Sequence, residues 1–193
     1  MKKKTISHKN FLVNNYLKKN SIKIAFEKIL NEIKINCDFK KNTYHVLSKK
    51  FSFNYNKNNF NKFRKFKNIA IIGMGGSILG ANAIYDFFRS KIKKKVTFFD
   101  NLNGEKISKF KRENNKKNCL FIVISKSGNT IETISNLVEL NILKSNAKNI
   151  IIITEKKENI LNTISKKYNL PFIEHKNFLG GRYSVLSEVG IMP

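Results

Sequence analysis

Four consecutive isoleucines at positions 150–153 limit the fold more than any other feature of the sequence. A strand that is apolar at every position has no face to turn to water, so it belongs inside a sheet covered by helices on both sides. Short apolar runs recur at 69–73, 96–100, 120–125, 150–154 and 170–174, and residues 78–89 and 131–144 between them carry helical periodicity. This alternation predicts an α/β fold: a doubly wound, mainly parallel five-stranded sheet flanked by helices. Ligands of such sheets bind beyond the carboxyl ends of the strands. The loops after the first, third and fifth runs are therefore where chemistry is expected.

Residues 1–66 read as a basic, partly helical lead-in to a domain at 67–193. The spacing of Ile22, Phe26, Ile29, Leu30 and Ile33 predicts a helix over 21–35. Phe51, Phe53, Tyr55, Phe60, Phe63 and Phe66 are expected to pack as an apron on the neighbouring domain rather than to stack on bases. The net charge of +25 raises a nucleic-acid partner, but only Arg64, Arg89, Arg112 and Arg182 among the 38 basic residues are arginines. Lysines spread evenly among asparagines and isoleucines point to compositional bias, so no nucleic-acid partner is expected. The apolar residues 11–13 are broken at once by Asn14 and Asn15, too soon for a signal peptide, and no run reaches a membrane span of about 20 residues. A cytoplasmic chain with no membrane partner is expected. Cys37 and Cys119 are far apart and stand at no zinc-ligand spacing. His8, His45 and His175 read as ordinary surface or packed histidines.

The first loop, Gly73-Met74-Gly75-Gly76-Ser77, turns into a helix and offers backbone amides to an anion. It fits neither nucleotide motif. Ile78 stands where the dinucleotide fingerprint needs its third glycine, and Gly80 is followed by Ala81 and Asn82 rather than by Lys and Ser or Thr. The second loop, Ser125-Lys126-Ser127-Gly128-Asn129-Thr130, gathers three hydroxyls and an ammonium at another helix start. Hydroxyls donate hydrogen bonds without adding charge, and the lysine adds a point charge, so this is a phosphate cradle. Asn129 or Thr130 can also cap the helix, with Glu132 in its first turn. The third loop holds Arg182 between glycines and Tyr183, an arginine in a chain that uses lysine at 34 of its 38 basic positions.

Together these loops, and above all the segment G-G-R-Y-S-V-L-S-E-V-G at 180–190, resemble the phosphoglucose isomerase family of SIS-domain proteins. The resemblance implies interconversion of glucose 6-phosphate and fructose 6-phosphate through an enediolate in glycolysis and gluconeogenesis, without metal or other cofactor. It implies phosphate binding by Gly76, Ser77, Ser125, Lys126, Ser127 and Thr130, and a catalytic Arg182 stabilising the enediolate. Glu132 also falls on a family position. The family's catalytic base, ring-opening histidine and C-terminal lysine are expected beyond residue 193, with a second SIS domain. The chain is thus expected to be an inactive N-terminal fragment of an enzyme that is a homodimer when intact. The alternative is a non-catalytic SIS module that binds a sugar phosphate.

Overall fold

The isoleucine run forms β4 (Ile150–Thr154), and every one of its residues is buried. Alternate side chains of a strand point to opposite faces, so a continuous apolar strand feeds two cores. Ile150 and Ile152 join Ala70, Ile72, Phe121 and Val123 on one side, while Ile151 and Ile153 join Ile69, Ile71, Leu120 and Ile122 on the other. These partners lie on β1 (Asn68–Ile72) and β3 (Cys119–Ile124), and β2 (Lys95–Phe99) and β5 (Phe172–Glu174) complete the sheet. The order is β2-β1-β3-β4-β5 and every pairing is parallel. The sheet expected from the sequence is present.

The computed structural model describes residues 20–144 and 147–193. His8 and the segments 1–10 and 11–13 lie outside the described residues. Helices α3 (Gly104–Glu113), α4 (Ile131–Glu139) and α5 (Ile160–Tyr168) cover the first core, inserting Ile107, Phe110, Leu137 and Leu161. The second core is closed by Ala81 of α2 (Leu79–Phe88), Val189 of α6 (Glu188–Ile191) and the aromatic segment. Phe63 and Phe66 are buried there, and ring centroids from Phe51 through Phe53, Tyr55, Phe60 and Phe63 to Phe66 follow one another at 5.4 to 6.4 Å. These aromatics form an apron, and its residues help to build the core.

Two differences from the expected elements have local causes. Helix α4 stops at Glu139 instead of running to 144, because Asn141 takes a left-handed conformation (φ 49°) that asparagine tolerates and a helix does not. α3 and α5 have no bounds in the sequence reading because each offers few buried apolar residues on a lysine-rich helix. Their starts are nonetheless marked by Asn103 and Asn159, whose side chains accept the amides of Lys106 and Asn162. The predicted N-terminal helix is α1 (Asn20–Cys37). Its apolar side, with Ile22, Phe26, Ile29 and Leu30, is exposed among the described residues.

The sheet order positions the site. β1 lies between β2 and β3, so the chain leaves β1 in one direction and continues from β3 in the other. The loops after β1 and β3 diverge, and a crevice opens between them at the carboxyl edge.

Candidate functional site

In the loop after β3, Ser125 Oγ and Thr130 Oγ1 lie 2.8 Å apart, and Ser127 Oγ is 3.4 Å from each. The backbone fixes the roles of the serines. Ser125 Oγ accepts the Gly128 amide at 3.1 Å and Ser127 Oγ accepts the Asn129 amide at 3.3 Å. Each serine thus has a lone pair engaged by the backbone, and the hydroxyl protons of the cluster, shared among Ser125, Ser127 and Thr130, can turn to an anion. The turn requires Gly128: its φ is +71°, and an added Cβ would fall 1.9 Å from Asn159 Oδ1. α5 supports the loop from behind, its Leu161 amide donating to the Gly128 carbonyl and its Ile160 amide to Asn129 Oδ1.

The helices divide by their starts. α3, α5 and α6 are capped by the side chains of Asn103, Asn159 and Ser187, whereas α2 and α4, which start at the crevice, have no side-chain cap. Thr130 occupies the N-cap position of α4, yet its hydroxyl turns to Ser125, and Asn129 serves α5. The capping role open to these two residues in the sequence is not taken up at α4. Two helix starts, each with partial positive charge, therefore face the crevice without an internal partner.

The loops after β1 and β5 meet. A Cβ on Gly76 would fall 2.3 Å from the Gly181 carbonyl oxygen and 2.8 Å from the Arg182 nitrogen, so the two backbones are in direct contact. Ser184, fully buried, donates through Oγ to the Gly181 carbonyl at 2.6 Å and leans on the Gly76 carbonyl at 3.3 Å. The chain thus returns from the edge strand β5 to the start of α2, and brings Arg182 with it. Arg182 is exposed and makes no ion pair among the described residues. Ser77 is buried in the turn that leads into α2. Glycine at 76 is explained by this backbone contact. Lys126 is not on the hydroxyls: its ammonium donates to the Asn177 carbonyl at 3.0 Å and lies 3.6 Å from Glu155 Oε1.

The sequence does not show the pairing of Glu188 with Lys176 and Asn54 in a charged layer behind the loops. Glu188 is fully buried, and its Oε1 accepts from Lys176 Nζ at 2.6 Å and from the Asn54 amide at 2.8 Å. His175 is buried and donates through Nδ1 to the Lys176 carbonyl at 3.0 Å; burial holds its imidazole below the usual histidine range. Burial, with the charge of Glu188 second, pushes the Tyr55 hydroxyl up. Glu188 lies within the segment 180–190, but its partners Lys176 and Asn54 are distant in sequence and no local pattern marks the pairing. Burial pushes the Cys119 thiol up to about 12, which removes it from nucleophilic chemistry. No cluster of potential metal ligands occurs among the described residues, and no described helix is long and apolar enough to cross a membrane. A hollow of about 650 Å³ lies at the opposite end of the sheet and is lined by Lys65, Lys67, Lys117 and Lys148 among others.

Fold and crevice define a doubly wound α/β protein of the kind that takes its ligand at the carboxyl edge of the sheet. Residues 38–193 match the family model of phosphoglucose isomerase, and the chain belongs to that family. It is 37% identical over 175 residues to a probable glucose-6-phosphate isomerase of Methanococcus maripaludis, covering 86% of this chain and 39% of that protein. A glucose-6-phosphate isomerase of Borreliella afzelii is 36% identical over 141 residues, or 67% of this chain and 26% of that one. Among solved structures, a glucose-6-phosphate isomerase from Chlamydia trachomatis superposes with a TM-score of 0.59 at 27% identity, over 69% of this chain and 27% of the other. The chain thus spans about two-fifths or less of the length of these relatives.

Proposed function

We propose that residues 67–193 form the sugar-phosphate-binding domain of an aldose–ketose isomerase acting on glucose 6-phosphate and fructose 6-phosphate, with residues 1–66 as its lead-in. The observation that carries this reading is the convergence of three hydroxyls at the uncapped start of α4. A phosphate dianion there accepts hydrogen bonds from Ser125, Ser127 and Thr130, whose mutual contacts it replaces, and faces the positive end of a helix. Ser77 adds a fourth hydroxyl from the neighbouring loop, Gly76 lets that loop close on the crevice, and Lys126 adds charge. The sugar extends toward Arg182. Isomerisation moves a proton between C2 and C1, and negative charge develops on the enediolate oxygens. The fixed guanidinium of Arg182 stabilises that charge where it forms. Family membership supports the substrate assignment, and the same reading makes the intact enzyme a cytoplasmic homodimer.

Isothermal titration of the chain tests the binding claim. Glucose 6-phosphate binds and glucose does not. The double variant Ser125→Ala, Thr130→Ala loses about a hundredfold in affinity, the scale of two charge-assisted hydrogen bonds. Unchanged affinity in the double variant refutes the cradle.

A further inference from the structure

The ammonium closest in sequence to the three hydroxyls is held away from them. Lys126 Nζ donates to the Asn177 carbonyl at 3.0 Å and lies 3.6 Å from Glu155 Oε1. Glu155 is itself buried, and its other oxygen is paired with Lys157. The backbone on both sides is pinned: the Glu155 amide donates to the Lys126 carbonyl at 3.2 Å, and Thr154 Oγ1 donates to the same carbonyl at 3.3 Å. The Lys126 side chain can therefore move while its backbone stays tied to the end of β4. A flexible four-carbon stem carrying a point charge suits such a movement, which the planar fork of an arginine would not make as readily.

We propose that Glu155 is a positioning residue that holds the Lys126 ammonium in reserve, and that a phosphate seated on Ser125, Ser127 and Thr130 draws this ammonium away from it. The inference rests on the reading of residues 125–130 as a phosphate cradle. Lys157 makes the exchange feasible, because it leaves Glu155 paired after Lys126 departs and no buried carboxylate is stranded. The exchange has a function. Glu155 competes with phosphate for one cation, so it lowers the affinity of the cradle and favours release of a sugar phosphate. A cradle with a permanently committed lysine would hold substrate and product alike too tightly.

The test is a double-mutant cycle on the whole chain, titrated with glucose 6-phosphate while the amide resonances of Gly128 and Asn129 are followed. Glu155→Gln removes the competing charge and tightens binding on the order of fivefold, the scale of one partly screened charge at this range. Lys126→Met weakens binding, and in that background Glu155→Gln changes affinity by less than about twofold, because the two residues act through one another. An equal gain in both backgrounds makes Glu155 a general repulsive charge and overturns the proposal; so does weaker or unchanged binding by Glu155→Gln alone. The same spectra show whether each variant is folded. Should Glu155→Gln lose the native spectrum, Lys157→Met reads the competition from the other side: Glu155 then depends on Lys126 alone and binding weakens, whereas an unchanged affinity overturns the proposal. Absence of any saturable shift at Gly128 and Asn129 in the unaltered chain removes the cradle itself, and the proposal with it. That result is distinct from intact binding without coupling.

Discussion

Alanine at position 76 is expected to cost about 3 kcal/mol of stability, lowering the unfolding midpoint by roughly 6 to 12 °C for a chain of this size. The methyl group would fall 2.3 Å from the Gly181 carbonyl oxygen and 2.4 Å from its carbon, atoms of a backbone that cannot rotate aside as a side chain would. Either the loop after β1 or the segment carrying Arg182 must move, and Ser184 then loses its contact with the Gly76 carbonyl. The neighbouring Gly181→Ala is the control, because a Cβ there meets nothing within 4 Å. It is expected to stay within about 0.5 kcal/mol of the parent, as surface substitutions usually do. Thermal unfolding of both variants decides the matter. Equal effects at the two positions would mean that the loops after β1 and β5 do not touch in solution.

The second large effect is expected at Lys176. Its pair with Glu188 has side-chain exposures of 14% and 1%, and the ammonium also donates to the Ser52 carbonyl at 2.7 Å and lies 4.3 Å from the Phe51 ring centroid. This pair ties the aromatic apron to α6, directly after the segment that carries Arg182. Lys176→Met strands the Glu188 carboxylate inside the protein and is expected to cost about 3 to 5 kcal/mol. Adding Glu188→Leu removes the stranded charge and is expected to recover much of that loss, because replacing both members of a buried pair by apolar groups is often nearly neutral. Urea unfolding measures both variants. If the double variant is as unstable as the single one, the loss comes from disrupted packing or the lost Asn54 hydrogen bond, and the buried charge is not its cause.

The sheet was legible because burial on two faces writes itself into consecutive residues. The run 150–154 coincides with β4, and the runs at 69–73, 96–100 and 120–125 lie within one residue of β1, β2 and β3. At β5 the run begins two residues early, because Leu170 and Pro171 lead into the strand, which starts at Phe172. The hydroxyl loop was legible for a related reason: Ser125, Ser127 and Thr130 are close in sequence, so one tight turn brings their oxygens together. Glu188 and Lys176 lie twelve positions apart, and Asn54 joins them from across the chain. Glu188 stands in the segment 180–190, but nothing local distinguishes Lys176 from the solvated charges of a lysine-rich sequence or shows that the two pair. The position of Lys126 was illegible too, because Glu155 reaches it only through the pairing of β3 with β4.

The central claim is that phosphate binds where α4 begins, and mapping amide shifts on addition of glucose 6-phosphate tests it most directly. Saturable shifts at Ser125, Ser127, Gly128, Asn129 and Thr130, extending to Ser77 and Arg182, are the predicted result. A protein with a net charge of +25 could also attract the anion to its lysines. Shifts confined to Lys65, Lys67, Lys117 and Lys148, around the hollow at the opposite end of the sheet, would contradict the account.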